Sequence, residues 1–251
     1  MRCFIVLPCF NEEKNVKPLI YSIDHVLKNK IPYKIIAVND GSRDLTCKVL
    51  KDLSADYSIR VVEHHTNMGL GVALRSGLLA ATEEVFDDDV VITMDSDNTH
   101  DPKHILGMLA ASKKADIVVG SRYVEGGSQL NVPSHRVVLS KFINTLIGKL
   151  FRLPVKDTTS GFRCFRAILL KRLCVLLKGS IIDSKGFESS LELLFKAVYL
   201  GGFPVEIPIL LDYGKKGGKS KLRIFSTILN YLILLFKFRR LLQKSNSRNR
   251  G

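Results

Sequence analysis

The run from Val90 to His100, Val-Val-Ile-Thr-Met-Asp-Ser-Asp-Asn-Thr-His, constrains the fold of this chain more than any other. Its first residues are apolar and mostly β-branched, as in a strand covered by helices on both faces. The run then stops at Asp95 and Asp97, with one small residue between them. Side chains alternate along an extended backbone, so both carboxylates can point the same way and together hold a hard divalent cation and, through it, a diphosphate. The plainer reading is a polar turn after a buried strand, since turns favour Asp and Asn. The rest of the chain decides between the two.

Strands and helices alternate on both sides of this run. Residues 4–7 read as a strand stopped by Pro8 and followed by Phe10-Asn11-Glu12-Glu13, and Val16, Leu19, Ile20, Ile23, Val26 and Leu27 have helical spacing. Residues 34–38 give a second strand ending in Asn39-Asp40-Gly41-Ser42, with Asp44 or Thr46 to cap a helix through Leu53. A third strand at 59–62, a helix at 72–81, the strand at 90–94, a helix at 105–111 and a strand at 117–120 complete the alternation. This order predicts right-handed βαβ units, hence an α/β fold with a mainly parallel sheet whose ligands bind beyond the strands' carboxyl ends. Polar residues stand at each such end: Asn11 and Glu12, Asn39 and Asp40, His64 and His65, Asp95 and Asp97, Ser121 and Arg122. Their convergence on one rim favours a site for a charged ligand and its metal over unrelated turns.

Gly69-Leu70-Gly71 before a helix suggests a dinucleotide fingerprint, but the third glycine would fall at Leu74 and the motif follows the third strand. A tight turn with close packing at Gly77 is expected instead, without a nicotinamide or flavin cofactor. The 38 Lys and Arg against 24 Asp and Glu, a net charge of +14, call for an anionic partner: nucleic acid, phosphorylated substrate or membrane surface. Cysteines at 3, 9, 47, 164 and 174 form no Cys-x-x-Cys pair, so a reducing compartment without structural disulfide or zinc is expected. No apolar run reaches the ~18 residues of a membrane span, and no signal-peptide core precedes Pro8. The expected location is cytoplasmic, unless the chain's end attaches it to a bilayer.

Residues 126–129 read as a flexible loop, 136–151 as a long helix with apolar and basic faces, and 157–163 as a turn before Cys164-Phe165. Helices at 167–177 and 188–200, a closing strand or two at 204–211 and a mobile basic loop at 215–221 follow, the last of a kind that can fold over phosphates. Residues 223–242 form an apolar helix flanked by Lys219, Lys221, Arg223, Lys237, Arg239 and Arg240. It suits a membrane interface and equally a surface packed on the domain or on an oligomer partner. The division is a domain over 1–222, an amphipathic helix over 223–243 and a disordered tail over 244–251.

Taken in order, Pro8-Cys9-Phe10-Asn11-Glu12, Asn39-Asp40-Gly41-Ser42, Asn67-Met68-Gly69-Leu70-Gly71, Asp95-Ser96-Asp97, Ser160-Gly161-Phe162-Arg163 and Gly218-Lys219-Ser220-Lys221 make the chain similar to family 2 glycosyltransferases. Within these it most resembles dolichol-phosphate (polyprenyl-phosphate) mannose or glucose synthases, over about residues 3–222. The resemblance implies a GT-A fold and inverting transfer of a hexose from a nucleotide sugar, GDP-mannose ahead of UDP-glucose or another UDP-hexose, to a polyprenyl or dolichyl phosphate. It implies Mg²⁺ or Mn²⁺ as cofactor and a peripheral position on the cytoplasmic membrane face. Carried over, Pro8, Phe10, Glu12, Val38 and Asp40 would line the nucleoside pocket. Asp95, Ser96 and Asp97 would be the family's Asp-x-Asp, with Asp97 the metal ligand and Thr99 standing where some relatives place a metal-binding Gln. Asn39 replaces the usual first Asp. Arg122, Arg136 and Ser140 match the positions that grip the acceptor phosphate. Lys215 takes the place of a frequent Arg on the donor diphosphate, joined by Lys221.

Chemistry agrees with that assignment. A departing nucleoside diphosphate needs positive charge, which a metal on Asp97 with Lys215 and Lys221 would supply. A phosphomonoester, with a second pKa near ~6, is already largely dianionic and needs no protein base. Arg122 and Arg136 would orient it for in-line attack; the competing role for Arg122 is a salt bridge to Asp95 or Asp116. A nucleic-acid-binding protein is disfavoured, because the basic residues cluster after Ser121 beside an acidic rim without interleaved aromatics. A non-catalytic nucleotide-sugar-binding module stays open, as do a homo-oligomer and a separate membrane subunit as partners.

Overall fold

The computed structural model describes residues 1–217 and 224–248, the side chains of the second stretch at 227–239 only. In chain order the elements are β1 (Cys3–Cys9), α1 (Val16–Leu27), β2 (Tyr33–Asp40), α2 (Thr46–Leu53), β3 (Ile59–His64), α3 (Leu70–Thr82), β4 (Val90–Thr93), α4 (His104–Ala111) and β5 (Ile117–Ser121). Then come β6 (Ser128–Leu130), α5 (Ser134–Phe151), β7 (Arg163–Arg166), α6 (Ala167–Leu176), α7 (Ser189–Tyr199), β8 (Pro204–Pro208), β9 (Leu210–Asp212), a 3₁₀ turn (Tyr213–Lys215) and α8 (Ile224–Arg248).

The main sheet has seven strands in the order β3-β2-β1-β4-β7-β5-β8. All neighbours are parallel except β7, which runs antiparallel to β4 on one side and β5 on the other. Cys3 to Leu7 of β1 and all of β4 are buried, because helices cover both faces. On one face α1 packs Val16, Leu19, Ile20, Ile23 and Leu27 against the sheet with α2 and α4. On the other α3, α6 and α7 form a second layer. Chain order reverses between β1 and β4, which makes the crevice beyond their carboxyl ends the natural place for a ligand.

The alternation expected from sequence is present, with two corrections. Residues 163–166, expected to begin in a turn, form β7 in the middle of the sheet, where Arg163 pairs with Thr93 and with Val119. Four residues that begin and end with arginine carry no strand period of their own, and their two neighbouring strands impose the conformation. Residues 128–130, expected in a flexible loop, form β6, which pairs with β9 in a two-stranded parallel sheet. Helix α8 reaches Arg248 and so enters the stretch expected as a tail. Its Tyr231, Leu234, Leu235 and Phe238 pack on Ile143 and Ile147 of α5 and on Leu191 and Phe195 of α7. Leu229, Leu232, Ile233 and Phe236 stay exposed. No helix among the described residues is long and apolar enough to cross a membrane.

The Gly-x-Gly turn has a packing role. Gly69 has a φ of +97°, and a Cβ on Gly71 would lie 1.9 Å from the Ser184 carbonyl oxygen. One turn and a half further on, a Cβ on Gly77 would meet Val6 Cγ1 at 2.4 Å and Val38 Cγ2 at 3.0 Å, so α3 reaches the sheet only without a side chain there. Gly148 in α5 has nothing within 4 Å of the same position. The same substitution should therefore act with opposite signs in the two helices. Gly148→Ala is expected to stabilise by about 0.5–1 kcal/mol through helix propensity, whereas Gly77→Ala is expected to destabilise because overpacking of about 1–3 kcal/mol exceeds that gain. Urea unfolding of both variants measures the difference.

Candidate active site

The loop that follows β4 is tied to the end of β1 at the rim, where Ser96 donates its hydroxyl to the Pro8 carbonyl at 2.7 Å. A cavity of about 890 Å³ opens beside this tie. Its acidic end carries Glu12, Asp40, Asp95 and Asp97, and its basic end Arg122 and Arg136.

Asp97 is 9% exposed, and each of its oxygens is engaged. The Thr99 backbone N–H and hydroxyl donate to Oδ1 at 3.2 and 2.6 Å, and the Lys216 ammonium donates to Oδ2. Burial alone would raise the Asp97 carboxyl, but Lys216 and Thr99 outweigh it and hold the group below the usual carboxylate range. Asp95 goes the other way: desolvation, with the charge of Asp97 beside it, lifts its carboxyl above that range. Gly161 leaves room for this carboxylate, since a Cβ there would sit 3.3 Å from Asp95 Oδ1. His100 Nδ1 lies 3.8 Å from Asp95 Oδ2, buried and without a hydrogen-bond partner. Two carboxylates pressed together in a half-dry crevice create a demand for a cation. No group of three or more His, Cys, Asp or Glu among the described residues is set to enclose a metal. The oxygen donors of Asp95 and Asp97 in the cavity wall fit a hard ion that takes one or two carboxylates from the protein and the rest of its shell from ligand oxygens and water, the habit of Mg²⁺.

Asp40 works differently from the other acids. It accepts the backbone N–H groups of Met68 and Gly69, both at 2.9 Å, and contacts His64 Nδ1 at 2.7 Å. It thereby fixes the turn that leads into α3. Val38, expected in the nucleoside pocket, is fully buried under Gly77 and does not line the cavity; its place in β2 points it at α3.

At the basic end Arg122 is paired neither with Asp95 nor with Asp116 but with Asp157. Its Nε and Nη2 reach the two carboxylate oxygens at 2.7 Å each, and its backbone N–H adds a third bond at 3.0 Å. The Asp157 side chain is wholly buried. Burial works against both charges, yet the pairing raises Arg122 and lowers Asp157 from their ordinary values. Thr159 and Ser140 hydroxyls continue the network from Arg122 Nη2 at 2.9 and 3.3 Å. Arg136 reaches the Tyr213 hydroxyl at 3.4 Å, lies over that ring, and has its Nε buried without a partner.

The segment after the 3₁₀ turn crosses the acidic end. Gly217 is held at both its N–H and its carbonyl by the Asn15 amide, at 3.1 and 2.9 Å, and Asn15 also donates to Glu12 at 2.5 Å. This strap places Lys216 on Asp97. Lys215, expected to face the diphosphate, instead turns outward to Asp101 at 3.6 Å and lies half exposed. Adjacent residues in a tight turn point to different sides, and sequence order cannot say which. Lys221 lies outside the described residues. Of the remaining expected residues, Pro8, Phe10, Glu12, Asp40, Ser96, Thr99 and Ser140 all border the cavity. Sequence reasoning missed Lys216, Asp157, His100 and Lys185; Lys216 was one position from the residue chosen, and Asp157 stood in the stretch taken for a turn.

Residues 4–174 match the family described as Glycosyl transferase family 2. The polyprenol monophosphomannose synthase of Mycolicibacterium smegmatis is 33% identical over 211 residues, covering 83% of this chain and 76% of that protein. The dolichol-phosphate mannosyltransferase of Pyrococcus furiosus is 31% identical over 242 residues, covering 94% of this chain but 63% of that protein, so this chain spans less than two thirds of that relative's length. Among solved structures, glucosyl-3-phosphoglycerate synthase from Mycobacterium tuberculosis in complex with Mn²⁺, UDP and glucosyl-3-phosphoglycerate superposes with a TM-score of 0.63 at 19% identity, over 92% of this chain and 75% of that one. The fold is therefore GT-A.

The Arg122–Asp157 pair makes a testable demand on stability. Asp157→Asn is expected to destabilise by about 3–5 kcal/mol at pH 7, because it leaves a buried guanidinium uncompensated. The Asp157 pKa is depressed in the folded state, so its contribution is full above the ordinary carboxylate value near ~3.9 and is lost as pH falls through the folded value. The gap between wild type and variant should therefore narrow below about pH 4, as urea titrations at several pH values will show.

Proposed function

Because the chain belongs to glycosyl transferase family 2, we propose that this glycosyltransferase moves a hexose, mannose from GDP-mannose before any UDP-hexose, onto the phosphate of a polyprenol, with inversion at the anomeric carbon. One observation carries the reading: a single cavity holds a carboxylate pair at one end and a guanidinium pair at the other. The names of the relatives, which specify mannosyl transfer to or synthesis on lipid phosphates, support it.

In this reading the nucleoside lies along Pro8 and Phe10, and the diphosphate reaches Asp95 and Asp97. Those two carboxylates would hold Mg²⁺ or Mn²⁺, which supplies positive charge to the departing diphosphate when bound. Thr99 keeps the Asp97 oxygens oriented through its two hydrogen bonds. Lys216 takes the role first expected of Lys215: its ammonium already stands in the crevice and can meet diphosphate oxygens as negative charge develops on them. Arg122, rigidly held by Asp157, and Arg136 receive the acceptor phosphate with Ser140 and align it for in-line attack. A phosphomonoester arrives largely deprotonated, so no carboxylate has to accept a proton.

The wall behind Arg136 is apolar. Leu139 and Ile143 of α5 line the cavity together with Thr227 and Tyr231 of α8, a lining suited to the first isoprene units. On the outer side of these helices Val138, Phe142, Leu229, Leu232 and Phe236 are exposed beside Lys141, Lys237 and Arg239. An apolar stripe edged by lysine and arginine suits an anionic bilayer surface, so the protein would work as a peripheral enzyme where its lipid acceptor resides.

The reading is tested by turnover of GDP-mannose, UDP-glucose and UDP-N-acetylglucosamine with a polyprenyl phosphate and Mn²⁺. The preferred donor should transfer its sugar and, at about a hundredfold its Kd, add close to ~2.7 kcal/mol of stability. Asp97→Ala should lose roughly a thousandfold in rate and Lys216→Met roughly a hundredfold, while Lys215→Met stays within about twofold because its ion pair is exposed. Transfer by none of the donors would sink the proposal. Separately, Leu232→Asp with Phe236→Asp is expected to abolish flotation with phosphatidylserine vesicles yet keep turnover of a water-soluble short-chain acceptor; unchanged flotation would argue against this membrane face.

A further inference from the structure

Arg163 opens β7 in the centre of the sheet and is the largest fully buried side chain among the described residues, 1% exposed. Burying a guanidinium is costly unless a carboxylate accompanies it. Arg163 forms no ion pair among the described residues. It donates to the backbone carbonyls of Ser190 and, at 2.6 Å, of Thr158, and its Nε has no partner. Desolvation pulls its pKa down to about 10, with Asp157 opposing, which still leaves it charged at neutral pH.

The position of that charge matters more than its cost. Ser190 belongs to the cavity wall, and Thr158 immediately precedes its Thr159, Ser160 and Gly161. Thr159 in turn touches Arg122 and Ser140. The carboxylate nearest in this network, Asp157, is committed to Arg122. Glu206 accepts the backbone N–H groups of Lys156 and Asp157 and borders a different cavity. Arg136, at the mouth, has no acidic partner among the described residues either. Three guanidinium groups therefore share one ion-paired carboxylate, Asp157, and the further acids of this surrounding, Asp95 and Glu188, make no salt bridge to any of the three among the described residues.

We propose that Arg163 is a positioning residue of the acceptor site, whose buried charge holds the 158–160 turn in place and, together with Arg136, makes the site select a dianionic phosphomonoester over a monoanionic headgroup of the same shape. The inference rests on the acceptor site described under the proposed function and adds to it the residue that sets charge selectivity. Arg163 touches no substrate. It acts through the turn and through its field, which a low-dielectric interior transmits with little screening.

Calorimetry with citronellyl phosphate and with its methyl diester tests this on the whole chain. Wild type should bind the monoester at least tenfold more tightly than the diester, a preference that grows as pH rises through the monoester's second pKa near ~6. Arg163→Gln keeps donors for the two carbonyls but loses the charge; it should lower the monoester-to-diester ratio by roughly tenfold, the scale of one charge in a partly dry interior. Its affinity for nucleoside diphosphate with Mn²⁺ should not change. Arg163→Lys should restore the ratio. A ratio unchanged in Arg163→Gln, or lowered equally in Arg163→Lys, overturns the proposal in favour of a structural staple. Equal binding of both esters by wild type overturns it even if no variant folds, and leaves the acceptor reading standing. Binding of neither ester by wild type removes that reading and this inference together.

Discussion

Two carboxylates at the carboxyl end of a strand buried on both faces cannot both ionise there without a cation, and the arrangement of the site follows from that repulsion. The pair follows directly on β4, which ends at Thr93, and Ser96 between the two acids is tied to the Pro8 carbonyl of β1. Its cation is supplied from within the chain by Lys216, on a segment stapled to Asn15. The opposing shifts of the two acids express the same conflict: Asp97 is held ionised by its ammonium and hydroxyl partners, while Asp95, desolvated and next to a negative charge, is pushed toward its neutral form. A divalent ion arriving with its diphosphate would relieve both, because it brings more charge than an ammonium and offers Lys216 new anionic oxygens.

The basic end obeys a different economy. Arg122 is not a mobile hand reaching for a ligand; two hydrogen bonds from its guanidinium to Asp157 fix its plane, and a third anchors its backbone, before any anion enters. Fixing a guanidinium in advance removes side-chain entropy from the binding step, which is the usual source of tight recognition by rigid sites. That rigidity would cost nothing in affinity only if some other charge remained free to attract. Arg136, with its orphaned Nε and its weak contact to Tyr213, is that charge at the surface, and Arg163 is its counterpart below.

Much of this was legible in the sequence, for reasons that also explain what was not. Strand-helix alternation and the polar strand ends are consequences of period and position, which local composition records directly; the reversal of strand order at β1 and β4 is not, and only the structure shows it. Hence Glu12, Asp40, Asp95, Asp97 and Arg122 could be placed on one rim without coordinates. Facts that depend on two distant segments meeting were hidden. Strand β7 exists because β4 and β5 leave a gap of one strand, and nothing within Arg163–Arg166 signals it. The partner of Arg122 lies 35 residues away in a loop. Between Lys215 and Lys216 the choice is made by the geometry of a single 3₁₀ turn, set by Asp212 accepting the Gly214 N–H and by the Asn15 staple. Val38 was misplaced along the strand and not across it: it shares a face with Asp40, but two residues earlier it packs beneath Gly77 of α3, while Asp40 stands at the rim.

The same two-segment logic accounts for α5 and α8. Each is amphipathic in a way that cannot be satisfied once: Tyr231, Leu234, Leu235 and Phe238 already bury one face of α8 on the domain, yet Leu229, Leu232, Ile233 and Phe236 remain uncovered on the other. A helix that only closed the core would keep its outer face polar. An apolar outer face bordered by lysine and arginine, directly over a cavity wall of Leu139, Ile143 and Tyr231, joins the interior of the site to whatever covers that surface. For an acceptor that is a charged phosphate on a long hydrocarbon, such continuity lets the headgroup enter the guanidinium end while the tail stays out of water, and both requirements are met by the same pair of helices.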